Sequence, residues 1–163
     1  MNPQNYHQGG QGSSLQNRPY QDKRAMNAQR EREREEILAK FKPTWVTNGA
    51  DAEMIQFTEE AGKYLASNGM TSSQLRNVYG EIKRIQMQGY DKERSSFFLL
   101  KPKVAYAVGR AKSGQKQGLD ALLLFKQIFD KCHSAVKDSS HFENFCKLME
   151  ALLAYHRAYG GKE

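Results

Sequence analysis

The sequence predicts an all-α protein, a compact bundle of five to six helices with a disordered N-terminal tail. Three observations predict it. From Asp51 onward apolar residues recur with the helical period, cap and stop signals punctuate the segments, and nothing alternates as a strand would. With 163 residues the chain can bury one good core but is too short for two. It divides into a tail (1–20), a charged helical arm and linker (21–48) and a helical domain (49–163).

The tail is Gln, Asn, Gly and Ser with almost nothing apolar, so burial cannot offset the entropy of ordering it. Gln21–Lys40 is helix-prone and contains the alternating run Arg30–Glu36, but Ala25, Met26, Ile37 and Leu38 form no sustained stripe. A solvated helix or a partner-ordered arm fits it, and Trp45 is placed to pin it to the domain. In Asp51–Asn68, Met54, Phe57, Ala61, Tyr64 and Leu65 share a face, and Asn68-Gly69 supplies a stop. Thr71-Ser72-Ser73-Gln74 is a capping-box pattern opening a helix that stops near Gly89. Asp91 can cap a third helix through Leu100; Pro102 then breaks it and opens another reaching about Lys112, followed by a loop over Ser113–Gly118. Between Leu119 and Val136 apolar residues cover most of the circumference, marking the central helix. Ser140-His141-Phe142-Glu143 repeats the capping-box pattern. The stripe Phe142, Phe145, Cys146, Met149, Leu152, Leu153, His156 then runs to Gly160-Gly161.

The formal net charge of +7 sits almost wholly in Met70–Gln117, which holds ten Lys/Arg against three Asp/Glu. Charge concentrated this way points to a polyanion, with nucleic acid ahead of an acidic protein or an anionic lipid surface. On a helical wheel Leu75, Val78, Ile82 and Ile85 face one way. Arg76, Gly80, Lys83 and Met87 face another, flanked by Ser73, Asn77 and Arg84, with the acid Glu81 away from that stripe. Gly80 in mid-helix suits close approach of a backbone or ligand, and an ordinary solvated face with a packing glycine is the competing account. After Pro102, Lys103, Tyr106, Ala107 and Arg110 share a face, and Lys101 adds a further charge. Two cations around an aromatic ring suit a sugar–phosphate chain, although a half-buried Tyr106 with a wet hydroxyl fits the same pattern.

Neither a phosphate loop nor a GxGxxG, HExxH, GxSxG or CxxC motif occurs. Cys132, His133, His141 and Cys146 lack zinc-ligand spacing, and the two cysteines lie on apolar faces as small core residues do. His156, on the apolar stripe, reads as a hydrogen-bonded core histidine. Neither helix-turn-helix nor zinc-finger patterning points to sequence-specific DNA recognition. The expectation is a binding protein without enzymatic activity, metal or cofactor. Two cysteines, no signal-like segment and no long apolar run favour a cytoplasmic protein with no membrane partner.

Three stretches, Thr71–Tyr79 (TSSQLRNVY), Leu99–Arg110 (LLKPKVAYAVGR) and Ala154–Gly160 (AYHRAYG), together resemble the small subunit of type III-A CRISPR effector complexes, the Csm complex small subunit. The likeness runs from about Asp51 to Gly161 and leaves residues 1–48 uncovered. It implies a non-catalytic helical protein that self-associates into a filament beside the backbone subunits, lining the channel where guide RNA and target RNA pair. RNA cleavage would belong to the backbone subunits; DNA cleavage and cyclic oligoadenylate synthesis would belong to the large polymerase-like subunit. Carried onto matching positions, Arg76, Asn77, Lys83 and Arg84, with Lys101, Lys103, Tyr106 and Arg110, are the candidate RNA contacts, while Tyr155, His156 and Tyr159 read as packing or a subunit junction. Guide pairing would supply sequence recognition, so binding by the subunit is expected to be sequence-independent. The main alternative is a helical assembly protein whose basic face meets an acidic partner subunit. A DNA-binding regulator and an RNA-processing enzyme follow.

Overall fold

The computed structural model describes residues 18–114 and 118–161. The expected tail, apart from residues 18–20, and the middle of the loop after Ser113 lie outside the described residues. The described chain forms α1 (Arg18–Ala39), α2 (Thr44–Thr47), α3 (Ala52–Ser67), α4 (Ser72–Gln88), α5 (Arg94–Ser113), α6 (Leu119–Ala135) and α7 (Ser139–Ala158), with no strand among these residues. That is seven helices where five to six were expected; the short α2 and the arm helix α1 stand before the five helices α3–α7.

The most extensive packing is α3 against α7, while α6 touches α1, α2, α3, α5 and α7. The centre is therefore shared between α6 and α7. Met54, Phe57, Ala61, Tyr64 and Leu65 of α3 are all buried, as their spacing requires. The α7 stripe is buried too, except Leu153, which is partly buried. The core reaches back to Ile37, Trp45 and Val46. Trp45 is 1 % exposed, with its ring centroid 5.8 Å from Phe41 and 5.0 Å from Phe57. The second half of α1 is docked on the same body: Arg30 and Arg34 each lie 3.4 Å from Asp120, and the Tyr64 hydroxyl donates to the Arg30 carbonyl at 3.0 Å.

The α4 capping box forms as expected, Thr71 Oγ1 accepting from the Gln74 N–H and Gln74 Oε1 from the Thr71 N–H. Three local expectations fail. Pro102 does not break its helix: α5 runs through it. The ring deprives the Phe98 carbonyl of its helical donor, but Pro102 and Phe98 are both exposed, so water can take that bond. Phe97, Leu100, Val104 and Val108 bury one continuous face across the proline and hold the helix together. Nor does Asp91 cap α5, which begins at Arg94 with Glu93 at its N-cap position. At α7 the cap is Asp138, whose carboxylate accepts from the His141 N–H at 2.8 Å, rather than a Ser140/Glu143 box. Glu143 instead accepts from the Gln86 amide at 2.7 Å. The carboxylate satisfies the orphan amide as a hydroxyl would and adds favourable charge at the positive end of the helix.

Two mid-helix glycines have opposite reasons to exist. A Cβ on Gly62 would lie 2.7 Å from Tyr155 Cβ and 2.8 Å from the His156 nitrogen, so this glycine lets α3 and α7 approach closely. A Cβ on Gly80 would meet nothing within 4 Å, so no neighbour among the described residues requires that glycine. Gly80→Ala is therefore expected to stabilise the fold by about 0.5–1 kcal/mol through helix propensity. Gly62→Ala should destabilise it by about 1–3 kcal/mol through overpacking. Thermal unfolding of the two variants should move in opposite directions.

His156 is fully buried and its Nε2–H donates to the Met70 carbonyl at 2.8 Å. His133, 6 % exposed, donates from Nε2 to the Phe97 carbonyl at 2.8 Å and stacks on the Phe97 ring at 4.0 Å. Burial, with the nearby Lys101 charge, holds its pKa below the usual 6.5. As the pH falls below about 6.5 the unfolded chain takes a proton that the folded one resists, so stability present in full above that value is progressively lost. The urea midpoint should drop between about pH 7.5 and about pH 5.5, less steeply in His133→Asn.

Candidate nucleic-acid interface

Helices α4 and α5 pack side by side, and between them lies a groove of about 520 Å³. Its polar lining is Gln74, Asn77 and Glu81 from α4 with Lys103, Tyr106 and Arg110 from α5; Val78, Leu100, Val104, Ala107 and Ala111 complete it with apolar surface. The packing follows from the heptad-like spacing of the buried residues. Leu75, Ile82 and Ile85 anchor α4, and Leu100, Val104 and Val108 anchor α5, leaving the neighbouring strip of each helix to face the cleft.

Tyr106 is 68 % exposed, which decides against its being a half-buried core residue. The Arg110 guanidinium lies 5.9 Å from its ring centroid. Lys103 Nζ donates to Glu81 Oε2 at 3.1 Å, tying the helices together across the groove, and Arg84 approaches the same oxygen at 3.6 Å. The Lys103 hydrogen bond, with Arg84 adding to it, holds the Glu81 pKa below its ordinary value, so Glu81 is a carboxylate at neutral pH. Arg84 also bonds Glu93 at 3.1 Å, and Glu93 accepts from the Ser96 hydroxyl at 2.6 Å; those two bonds lower its pKa in turn.

The eight candidate residues are not one cluster. Asn77, Lys103, Tyr106 and Arg110 come together in the groove, with Arg84 linked to it through Glu81. Lys83 lies on the other flank of α4, its ammonium 5.3 Å from the Tyr79 ring centroid and 3.8 Å from Glu150 of α7. Lys101 points toward α6 and bonds the Ser134 hydroxyl at 3.2 Å. Arg76 is exposed on α4 and does not line the groove. The expected pair of faces joined across a break at Pro102 is thus one groove between two unbroken helices, with Arg76, Lys83 and Lys101 outside it. The sequence assigns Gln74 only to the capping box and sets Glu81 away from the basic stripe, yet both line the groove. Glu81 stands three residues before Arg84 and Gln74 three before Asn77, so both could have been placed on the edge of the basic face had its neighbour been known.

Away from the groove, Cys132 and Cys146 are buried; desolvation raises both thiols, that of Cys146 to about 12, which leaves them poor nucleophiles at neutral pH. Among the described residues no three His, Cys, Asp or Glu side chains stand close enough to hold a metal ion. No helix of the described residues is long and apolar enough to cross a membrane.

The family model Csm2 Type III-A matches residues 49–162. The chain belongs to the Csm2 family. No curated protein and no solved structure matches it. Csm2 is a family of small, non-catalytic subunits, so this chain is a small subunit of a type III-A CRISPR Csm effector complex, working among other subunits. The match spans α3–α7 and therefore the whole groove, whereas α1 and α2, with Trp45, stand before it. At the end of the Csm2 match, Tyr155 sits against Gly62, His156 is in the core, and the Tyr159 hydroxyl donates to Glu59 at 2.7 Å with Lys63 over its ring. Of the three, His156 is buried, Tyr155 is partly buried and Tyr159 stays 42 % exposed.

Proposed function

We propose that this Csm2-family chain is a non-catalytic, cytoplasmic RNA-holding subunit. Copies of it would stack beside the backbone subunits and the large polymerase-like subunit, and the α4/α5 groove would face the paired guide and target RNA. The observation that carries this reading is the row Lys103, Tyr106 and Arg110 on one exposed face of α5, opposite Asn77. Cations at both ends neutralise phosphates, and the ring between them offers a stacking surface that any base can use. Such a site positions a nucleic-acid strand, which is what a subunit needs when pairing to a guide already supplies sequence recognition.

Photocrosslinking of the assembled complex to target RNA tests the reading. Adducts on the α5 peptide containing Lys103–Arg110 are expected, together with a salt dependence of the subunit's RNA affinity of about −0.7 in log–log slope per phosphate held. Adducts confined to other subunits would overturn it in favour of an acidic protein partner for the same face.

A further inference from the structure

The first half of α1 buries no face against the described body. Pro19–Gln29 are all exposed, whereas Arg34 and Ile37 in the second half are docked. Packing within the chain therefore does nothing for this stretch, and a helix that is polar all round calls for another support. Its chemistry is nonetheless sorted by side. Tyr20, Lys23, Arg24 and Asn27 fall within an arc of about 100°, and Asp22, the one acid of Pro19–Gln29, lies opposite them. The Arg24 guanidinium is 5.6 Å from the Tyr20 ring centroid, the same i,i+4 arrangement that Arg110 makes with Tyr106 at 5.9 Å. Two cations, an amide and an aromatic ring that is 65 % exposed repeat the set found in the groove. A protein-binding stripe is not formed: Met26, the other large apolar residue of this half, stands about 120° round the helix from Tyr20.

The arm also projects from the right end of the bundle. Helices α1 and α6 run side by side in the same direction. Arg30 and Arg34 meet Asp120 in the first turn of α6, and Phe41 and Pro43 line a cavity with Asp130 and Ser134 towards its end. The exposed half of α1 thus extends past the start of α6, carrying Tyr20 roughly 15 Å beyond Arg30 along the helix axis. At that end α4 begins. Gly118, the residue before α6, sits so close to Gly69 that an added Cβ would lie 2.6 Å from the Gly69 carbonyl oxygen, and Gly69 stands two residues before the α4 cap. Gln74 in the first turn of α4 and Arg110 in the last turn of α5 line the groove there.

Resting on the RNA reading above, we propose that the projecting half of α1 is a second, sequence-independent RNA contact, holding the strand where it leaves the groove past Arg110. Lys23 and Arg24 neutralise phosphates, Tyr20 stacks a base of any identity, and the Asn27 amide bonds the sugar–phosphate chain. One subunit then grips one strand at two separated points, and each grip raises the effective concentration of the strand at the other. The arm precedes the Csm2 match, which starts at residue 49, so this contact adds to what the matched domain makes.

Oligouridylates of about 6 and about 20 nucleotides, bound to the full chain and followed by fluorescence anisotropy, test this, because only the long one can engage both contacts. In the triple variant Tyr20→Ala, Lys23→Ala, Arg24→Ala, affinity for the long oligonucleotide is expected to fall about 10-fold, through one lost stack and two lost phosphates. Its log–log salt slope should become shallower by about 1.4. The short oligonucleotide, held by the groove, should change by less than about 2-fold. Alanine keeps the helix propensity of the arm, so helix content by circular dichroism should be unchanged. An arm variant that binds the long oligonucleotide as the parent does, while Lys103→Ala, Tyr106→Ala, Arg110→Ala is impaired, would overturn the arm contact and leave the groove reading standing. Unchanged RNA affinity with loss of the arm variant from the assembled complex would overturn it in favour of a protein partner. Failure of the parent chain to bind either oligonucleotide at low salt would overturn both readings.

Discussion

Phe97→Ala is expected to cost about 3–5 kcal/mol, a large share of the stability of a domain this size. Phe97 is fully buried and is the hub of the aromatic core. Its ring centroid lies 5.3 Å from Tyr90, 5.6 Å from Phe142 and 5.7 Å from Phe145, and it stacks on His133 at 4.0 Å. Those partners come from α6, α7 and the loop before α5, so no single element can shift to fill the void. The His133 bond to the Phe97 carbonyl involves backbone and survives the substitution, which confines the loss to packing. Urea unfolding should show a large fall in midpoint with an unchanged m-value. A loss under about 1 kcal/mol would mean that the core collapses around the site instead.

The second large effect concerns RNA. Replacing Lys103, Tyr106 and Arg110 together by Ala should weaken binding to unrelated RNA sequences by about 30-fold or more. Loss of one stacked base accounts for roughly 1–3 kcal/mol, and two phosphate contacts for the rest. The log–log salt slope should become shallower by about 1.4, the two missing phosphates at 0.7 each. All three side chains are exposed, so the helix content should not change. Lys83→Ala and Lys101→Ala provide the contrast. Both lysines lie in the same basic block of sequence, but one is turned to Glu150 and the other to Ser134, and each should alter affinity by no more than about 3-fold. A triple variant that binds as the parent does would remove the groove from the binding surface.

The helices themselves were readable because their signals are local. The apolar stripe of α3, the Thr71–Gln74 box and the glycine after α4 each involve residues within a turn or two of one another, and each forms as its spacing implies. Pro102 and Asp138 show where local reading stops. Whether a proline ends a helix depends on whether its carbonyl partner can reach water, and that is decided by the tertiary face, here the exposed side of α5. Asp138 and Ser140 both stand in positions that can cap, and the choice between them is set by where α7 must begin to bring Phe142 and Phe145 into the core. The same limit applies to the groove. The α5 row Lys103, Tyr106 and Arg110 follows from one helical wheel, but Glu81 enters only because α4 lies beside α5. Lys83 and Lys101 shared the composition of the site without sharing its place.

The pairing of α3 with α7 has a consequence for how the protein is made. The first bundle helix to leave the ribosome finds its principal partner only when the last has been translated. At ordinary elongation rates that interval is on the order of 5–20 s. Throughout it the Met54, Phe57 and Leu65 face, which is buried in the finished protein, lacks its covering helix. Synthesis that stalls before α7 therefore leaves the α3 face without the helix that buries it in the finished protein.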